Sequence, residues 1–332
     1  MSESRLVKVV VDAMGGDHAP EAVLVGVDAA LAADTNLQII LTGPADVVEA
    51  FAKGRDRCRA VTTTEVIGMD EHPAHAVRGK KDSSIVVGCR LVRDGEADAF
   101  FSAGSTGACM AAATLVMGRI KGVSRPAIAT VIPTAGQPVV LLDVGANADC
   151  KPENLVQFGH MGAAYAQIVL GVSAPRVALL NIGEEPTKGS QLAQDAHALM
   201  AAQLPGFIGN VEGRDLSAGV ADVIVTDGFT GNVALKLLEG LSKTLLGQVK
   251  DAMTSSAINK LAAAVLKSSL VNLKERLNPD AYGGAPLLGV AGICIIGHGS
   301  SGAVAVSSAM RVAAQAARGG LTDHIASALT PV

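Results

Sequence analysis

The chain has no tryptophan, and only two tyrosines and six phenylalanines stand among its 332 residues. That leaves few ring faces on which the bases of a single-stranded nucleic acid could stack. Charge of one sign is scarce as well. The net charge is −4, so no basic field draws in nucleic acid. The cysteines, Cys58, Cys89, Cys109, Cys150 and Cys294, form no CxxC pair and share no zinc-like spacing with histidine. Reduced thiols in a cytosolic protein are the simplest reading. The apolar stretch before Asp12 spans about six residues, too short for a signal peptide. Between Asp280 and Arg311 there is no Asp, Glu, Lys or Arg, but glycines from Gly283 to Gly302 break the run. This predicts a strand, a glycine loop and a helix, not a membrane span. No GxxxxGK[ST] occurs, and DAMGGD after the first apolar run lacks GxGxxG spacing. Neither a P-loop nor a dinucleotide fingerprint is supported.

What is present is a supply of core and of glycine. Apolar residues make up 49% and charged residues 17%, enough for a sizeable interior, and the 37 glycines cluster just after apolar runs. Strand-like and helix-like runs alternate, the pattern of an α/β fold with a mostly parallel sheet and flanking helices. Strands are expected at Leu6–Val11, Leu37–Leu41, Ala99–Phe101, Pro126–Ile132, Pro138–Leu142, Val177–Leu180, Phe207–Val211, Ala221–Val225 and Leu287–Ile296. Helices are expected from Pro20 to about Ala33 and after TGPAD, one or two within His72–Arg93, and at about Ser105–Met117 and Pro152–Leu170. Further helices are expected from near Ser190, at about Val233–Val249, and over Ser255–Leu277 and Gly302–Ala317. No repeat or linker stands out. One catalytic unit over 1–332 is expected, with room for two lobes around a cleft and a helical protrusion at about 250–277.

Six loops follow strands: GGDHAP, SAGSTGA, DVGANAD, NIGEEPTKG, TDGFTGN and GHGSSGA. Several set glycine beside Ser, Thr or Asn just before a helix, where free N–H groups and the positive dipole end attract anions. Ser and Thr are also routine caps, but six such loops in one sheet predict a shared anionic-ligand site. In NIGEEPTKGS, Gly183 permits a tight turn, Pro186 disfavours an earlier helix, and Lys188 is left on a loop at a strand's carboxyl end. Open α/β sheets bind ligands there. The substrate-binding candidates are Gly104, Ser105, Thr106, Gly107, Asn147, Asn181, Gly183, Asp227, Thr230 and Gly231.

VDAMGGDHAP, SAGSTGA, DVGANADCKPENL, NIGEEPTKGS, VTDGFTGNV and GGAPLLGV…GHGSS together resemble the PlsX family of phosphate acyltransferases, from residue 9 to about 302. The resemblance implies a fold akin to isocitrate and isopropylmalate dehydrogenases and phosphotransacetylase, and a homodimer. It implies conversion of fatty acyl–acyl carrier protein (acyl-ACP) and inorganic phosphate to acyl phosphate, the first step toward phosphatidic acid in many bacteria, with no cofactor or metal. It also implies peripheral association with the inner face of the cell membrane, where the acyl-phosphate glycerol-3-phosphate acyltransferase would act next. By resemblance Lys188 and Asn232 occupy active-site positions. The chemistry asks only for positioning and oxyanion stabilisation, because phosphate is already an anionic nucleophile and a thiol leaves readily.

Other candidates have plainer readings beside the functional ones. His298 in GHGSS is a candidate phosphate orienter or proton donor, or a polar loop residue. His18 precedes a helix; His160 and His197 sit in helical patterns, as surface or core residues. Cys109 offers a covalent route, but buried cysteine behaving as a small apolar residue is commoner. Glu184 and Glu185 lack a second carboxylate cluster for a metal. In Lys250–Leu277, leucines at helical spacing flank lysines, and Lys260, Lys267, Leu266 and Leu270 are candidate membrane or carrier contacts. A dimer helix with solvated lysines is the plain alternative. Rival functions are a coenzyme A-dependent phosphotransacetylase, a metal- and NAD-dependent hydroxyacid dehydrogenase, and a silent carrier-binding scaffold.

Overall fold

The computed structural model describes residues 5–134, 136–268 and 282–329. The first half contains β1 (Val7–Asp12), α1 (Glu21–Ala33), β2 (Leu37–Gly43), α2 (Ala45–Ala52), β3 (Cys58–Thr62), α3 (Pro73–Gly79), α4 (Ser84–Arg93) and β4 (Ala99–Ser102). Next come α5 (Thr106–Ala112), which runs into a π-helical turn at Ala113–Met117, then β5 (Ala127–Ile132), β6 (Val139–Leu142) and α6 (Pro152–Ile168). The remainder holds β7 (Val177–Leu180), α7 (Gln191–Gln203), β8 (Phe207–Val211), β9 (Val223–Val225), α8 (Gly228–Thr254) and α9 (Ala257–Val265). It closes with β10 (Ala285–Leu288), β11 (Ile293–Ile296), α10 (Ala303–Arg318) and α11 (Leu321–Ala328).

The strands form one eleven-stranded sheet in the order β3-β2-β1-β4-β11-β10-β5-β6-β9-β7-β8. β3, β2, β1, β4 and β11 are mutually parallel, as are β6, β9, β7 and β8. Between these blocks lie three antiparallel steps, β11 to β10, β10 to β5 and β5 to β6. An odd number of reversals makes the two blocks run in opposite senses. Their carboxyl ends therefore face opposite edges of the sheet.

Strand side chains alternate between two apolar layers, as the period of 2 requires. Val9 and Val11 join Phe158, Met161 and Met310 on one face, with α1, α6 and α10. Val10 and Phe100 join Ile85, Cys109 and Ile224 on the other, with α4 and α5. The strands read as apolar runs because they are covered on both faces.

Some expectations change. Leu287–Ile296 is a hairpin, not one strand: β10 and β11 pair antiparallel around Gly289, whose φ of +91° suits glycine alone. β3 and α11 were not expected. α8 begins at Gly228 rather than Val233, because Asp227 caps it. Of the expected helix Ser255–Leu277, α9 is described, while Leu270 and residues 271–277 lie outside the described residues. No helix among the described residues is long and apolar enough to cross a membrane.

Candidate active site

The strand senses divide the six loops into two sets of three, one at each edge of the sheet. Residues 12–18, 102–107 and 297–301 make one set. Ser102 Oγ donates to Asp12 Oδ2 at 2.7 Å and accepts the Gly104 N–H at 3.0 Å. The Asp17 N–H donates to Gly299 O at 2.7 Å and joins the third loop. Burial raises the Asp12 carboxyl above its ordinary value, against the bonds from Ser102 and the Met14 N–H. Ser105 caps α5 through the Ala108 N–H, at 3.4 Å. A Cβ on Gly107 would fall 2.5 Å from Pro73 Cγ, so Gly107 serves the packing of α3 on α5. Thr106 is exposed.

His298 is exposed, and its Nδ1 accepts the Ser300 N–H at 3.2 Å with Ser300 Oγ 2.8 Å away. Cys109 lies behind this set, fully buried, and burial pushes its thiol up to about 12. A thiol without solvent access and so rarely ionised is a poor covalent nucleophile.

The second set is residues 143–149, 181–190 and 226–232. Asp143 is its keystone. Its carboxylate accepts five hydrogen bonds: from the N–H groups of Ile128, Gly145, Ala146 and Asn147, and from Asn147 Nδ2, at 2.7–3.1 Å. Burial pushes the Asp143 carboxyl up, and these donors oppose the push. Asn147, expected to meet substrate, is instead buried, and its amide also donates to Pro126 O at 2.8 Å. It holds the loop.

Onto this loop docks the first turn of α8. Asp227 Oδ1 accepts the Thr230 N–H at 2.9 Å, and Oδ2 accepts the Thr230 hydroxyl at 2.8 Å. A Cβ on Gly231 would lie 1.9 Å from Asp143 O, and one on Gly228 would lie 2.6 Å from Asn147 O. Only glycine permits the approach, so Gly231 is a packing residue. The approach brings Asn232 beside Gly145, where its Nδ2 donates to Val144 O at 3.0 Å. Asn232 remains exposed.

Lys188 sits on the loop between β7 and α7, with its side chain exposed. Its backbone is held at both ends: its N–H donates to Glu185 O at 3.1 Å, and its carbonyl accepts Asn181 Nδ2 at 3.0 Å. Gly189, at φ +90°, leaves room for that amide; a Cβ there would lie 2.2 Å from Asn181 Oδ1. Gly183 is buried, with a hypothetical Cβ 3.0 Å from Lys188 Cγ. Glu185 O also accepts Asn210 Nδ2 at 2.9 Å. Neither Asn210 nor its partner His197 stood out as a site residue, although an asparagine inside a strand is unusual enough to be a signal.

Between this loop and α8 lies a cavity of about 270 Å³. Asn181, Asp227 and Thr230 make its polar side; Leu155, Leu179 and Leu192 make its apolar side. Neither Lys188 nor Asn232 lines this recess; Gly189, next to Lys188, does, and the Asp227 carboxylate caps the α8 start at its edge. Lys260, Lys267 and Leu266 lie far along the chain, exposed on and just beyond α9.

The architecture defines a class. It matches the EutD phosphotransacetylase of Staphylococcus aureus at a TM-score of 0.61 and 17% identity, covering 94% of each chain. It also matches a 4-hydroxythreonine-4-phosphate dehydrogenase of Klebsiella pneumoniae at 0.54 and 12%, over 94% of this chain and 99% of that one. These likenesses show a shared fold, that of the phosphotransacetylases and the related dehydrogenases. The family follows from sequence: the model described as "Fatty acid synthesis protein" matches residues 7–324, and the chain belongs to that family. A phosphate acyltransferase of Heliobacterium modesticaldum is 50% identical over 334 residues, 98% of this chain and 99% of that protein. Another, from Desulfitobacterium hafniense, is 49% identical over 324 residues, 96% of each.

Proposed function

We propose that the protein is a phosphate acyltransferase that moves a fatty acyl group from the thioester of acyl-ACP to inorganic phosphate. A phosphate oxygen attacks the thioester carbonyl carbon and forms a C–O bond, while the carbonyl electron pair moves onto oxygen. The tetrahedral intermediate then collapses and the C–S bond breaks. The carrier leaves as thiolate and takes a proton from water, its thiol pKa being about 8.5. Nothing is oxidised or reduced, and no cofactor is needed.

The observation that carries this reading is the recess between the Lys188 loop and the start of α8, polar on one side and apolar on the other. It occurs in a chain whose relatives at about half identity are named phosphate acyltransferases. Lys188 neutralises phosphate or the developing oxyanion. Asn232 has two amide hydrogens, and the one not held by Val144 O serves the oxyanion. The apolar wall of Leu155, Leu179 and Leu192 accommodates the first methylenes of the acyl chain. The other loop set, with Gly104, Ser105, Thr106 and His298, is a second anion-binding candidate at the opposite edge of the sheet.

In the same reading the chain is one catalytic unit whose α8 and α9 project as a protrusion. α8 bears exposed Val233, Leu237, Leu241 and Leu245, and α9 bears exposed Ile258, Leu261 and Val265. A second copy covers the α8 stripe. The α9 tip, with Lys260 and Lys267, meets the anionic inner membrane surface or the acidic carrier. There the acyl phosphate passes to an acyl-phosphate glycerol-3-phosphate acyltransferase.

The test is release of free carrier thiol from long-chain acyl-ACP, with and without phosphate, with acyl phosphate trapped by hydroxylamine. Phosphate-dependent release supports the reading. Release without phosphate points to a thioesterase, and carrier binding without release to a scaffold. A preference for coenzyme A thioesters makes the protein a phosphotransacetylase.

A further inference from the structure

The loop that carries Lys188 is fixed from beneath by two residues to which the reaction assigns no part. Asn210 lies in β8 and is buried, 7% exposed. Its Nδ2 donates to Glu185 O at 2.9 Å, the same carbonyl that accepts the Lys188 N–H at 3.1 Å. A carbonyl can only accept, so this contact fixes which end of the amide is nitrogen. Asn210 Oδ1 must then face the other way, and it lies 2.9 Å from His197 Nδ1. An amide oxygen also only accepts, so His197 carries a proton on Nδ1. The imidazole is held in turn edge-on to Phe207, with ring centroids 5.2 Å apart. A line of contacts thus runs from Phe207 through His197 and Asn210 to Glu185 O and the Lys188 N–H. On the far side, Asn181 holds the Lys188 carbonyl.

We propose that Asn210, oriented by His197, is a positioning residue for Lys188. The inference rests on the acyl-transfer reading, in which the Lys188 ammonium meets phosphate or the oxyanion. Neither Asn210 nor His197 touches substrate. They set where the backbone of a long, exposed side chain begins. A misplacement of about 1 Å in such a group can cost about 100-fold in rate.

Asn210→Asp tests this in the full-length protein. The variant keeps the size of the side chain and an acceptor for His197, but it has no hydrogen to donate to Glu185 O. The comparison is kcat/KM for phosphate with acyl-ACP, in the wild-type and Lys188→Ala backgrounds. The expected result is a loss of about 10- to 100-fold in the first and no further loss in the second, since residues acting through one group are not additive. Amide hydrogen exchange at 183–190 should accelerate in N210D. His197→Gln, which retains an N–H donor, should keep more activity than His197→Leu. An equal loss in both backgrounds overturns the proposal, because Asn210 would then act on the fold at large. So does wild-type kcat/KM with unchanged exchange, or a Lys188→Ala protein with wild-type turnover. If N210D fails to fold, the His197 pair decides in the same two backgrounds. A wild-type protein without phosphate-dependent thiol release defeats the acyl-transfer reading instead, and the exchange comparison then judges the clamp by itself.

Discussion

Asn232 already uses one of its two amide hydrogens on Val144 O, which fixes the direction of the other. Asn232→Ala should lower kcat by about 10²–10³, the usual effect of losing one oxyanion donor, with KM little changed. Lys188→Ala should also raise KM for phosphate, because the ammonium meets the anion before the transition state as well as in it. Steady-state kinetics on both variants checks this, and equal turnover in a folded Asn232→Ala protein would remove the assigned role. At this scale exposure was legible: Lys188 and Asn232 sit in motifs, and both are exposed in the structure. Burial was less legible: Asn147 and Gly231 sit in the same motifs but are buried, Asn147 bonded to the Asp143 carboxylate and Gly231 packed on the Asp143 carbonyl. Asn210 was out of reach because its partner, Glu185, is 25 residues away and only the pairing of β7 with β8 brings them together.

At the scale of elements, the site depends on how α8 meets the loop after β6. Gly231→Ala sets a methyl 1.9 Å from Asp143 O, where the backbone cannot yield without moving the helix start. Overpacking of this kind typically costs about 1–3 kcal/mol or more. Thermal melting should show the loss, and activity should fall with it because Asn232 shifts too. β7 and β9, which carry the Lys188 and Asn232 loops, are tied at their starts by Arg176 and Asp222. Arg176 Nε and Nη2 reach both carboxylate oxygens at 3.1 and 3.0 Å. The side-chain hydrogen bond from Arg176 lowers the Asp222 carboxyl below its ordinary value, against the effect of burial. A lowered carboxylate contributes stability above its unfolded value of about 3.9 and loses it as pH falls through the folded one. Asp222→Asn should therefore be less stable than wild type at neutral pH. Arg176 is half exposed, so the gap is only about 1 kcal/mol. It should begin to narrow as pH falls below about 4 and close only below the lowered folded value. A gap that persists at low pH would mean the carboxylate's charge contributes nothing. The helix start at Gly228 was hidden because glycine and asparagine read as loop, whereas capping by Asp227 and docking on Asp143 override that propensity.

At the scale of the molecule, a mostly parallel sheet was readable from the alternation of strand-like and helix-like runs, but β3 and the reversal between β10 and β11 were not. Apolar runs announce strands locally, but their senses depend on pairing across the whole sheet. The decisive local feature is the β10–β11 hairpin. Reading it as a single strand removes one reversal, and the six loops then seem to share an edge. With three reversals they divide, and the Lys188–Asn232 set stands apart from the His298 set. That arrangement leaves α8 with a row of exposed apolar side chains. Val233, Leu237, Leu241 and Leu245 are 54, 69, 52 and 52% exposed. At four-residue spacing on a helix of 3.6 residues per turn they sweep about 120°, a stripe as wide as a core-facing helix presents. An apolar stripe of that width on a projecting helix suits a self-complementary dimer contact, whose interfaces are more apolar than other surface. Leu237→Glu with Leu241→Glu should then convert a dimer to a monomer, read by light scattering or sedimentation at assay concentration. Thiol release per protomer should persist if each site is complete in its own chain. It should collapse if the α8 start needs its twofold mate to stay in place. A wild-type protein that is monomeric in the same measurement, or a double variant that remains dimeric, would show that α8 faces some other surface.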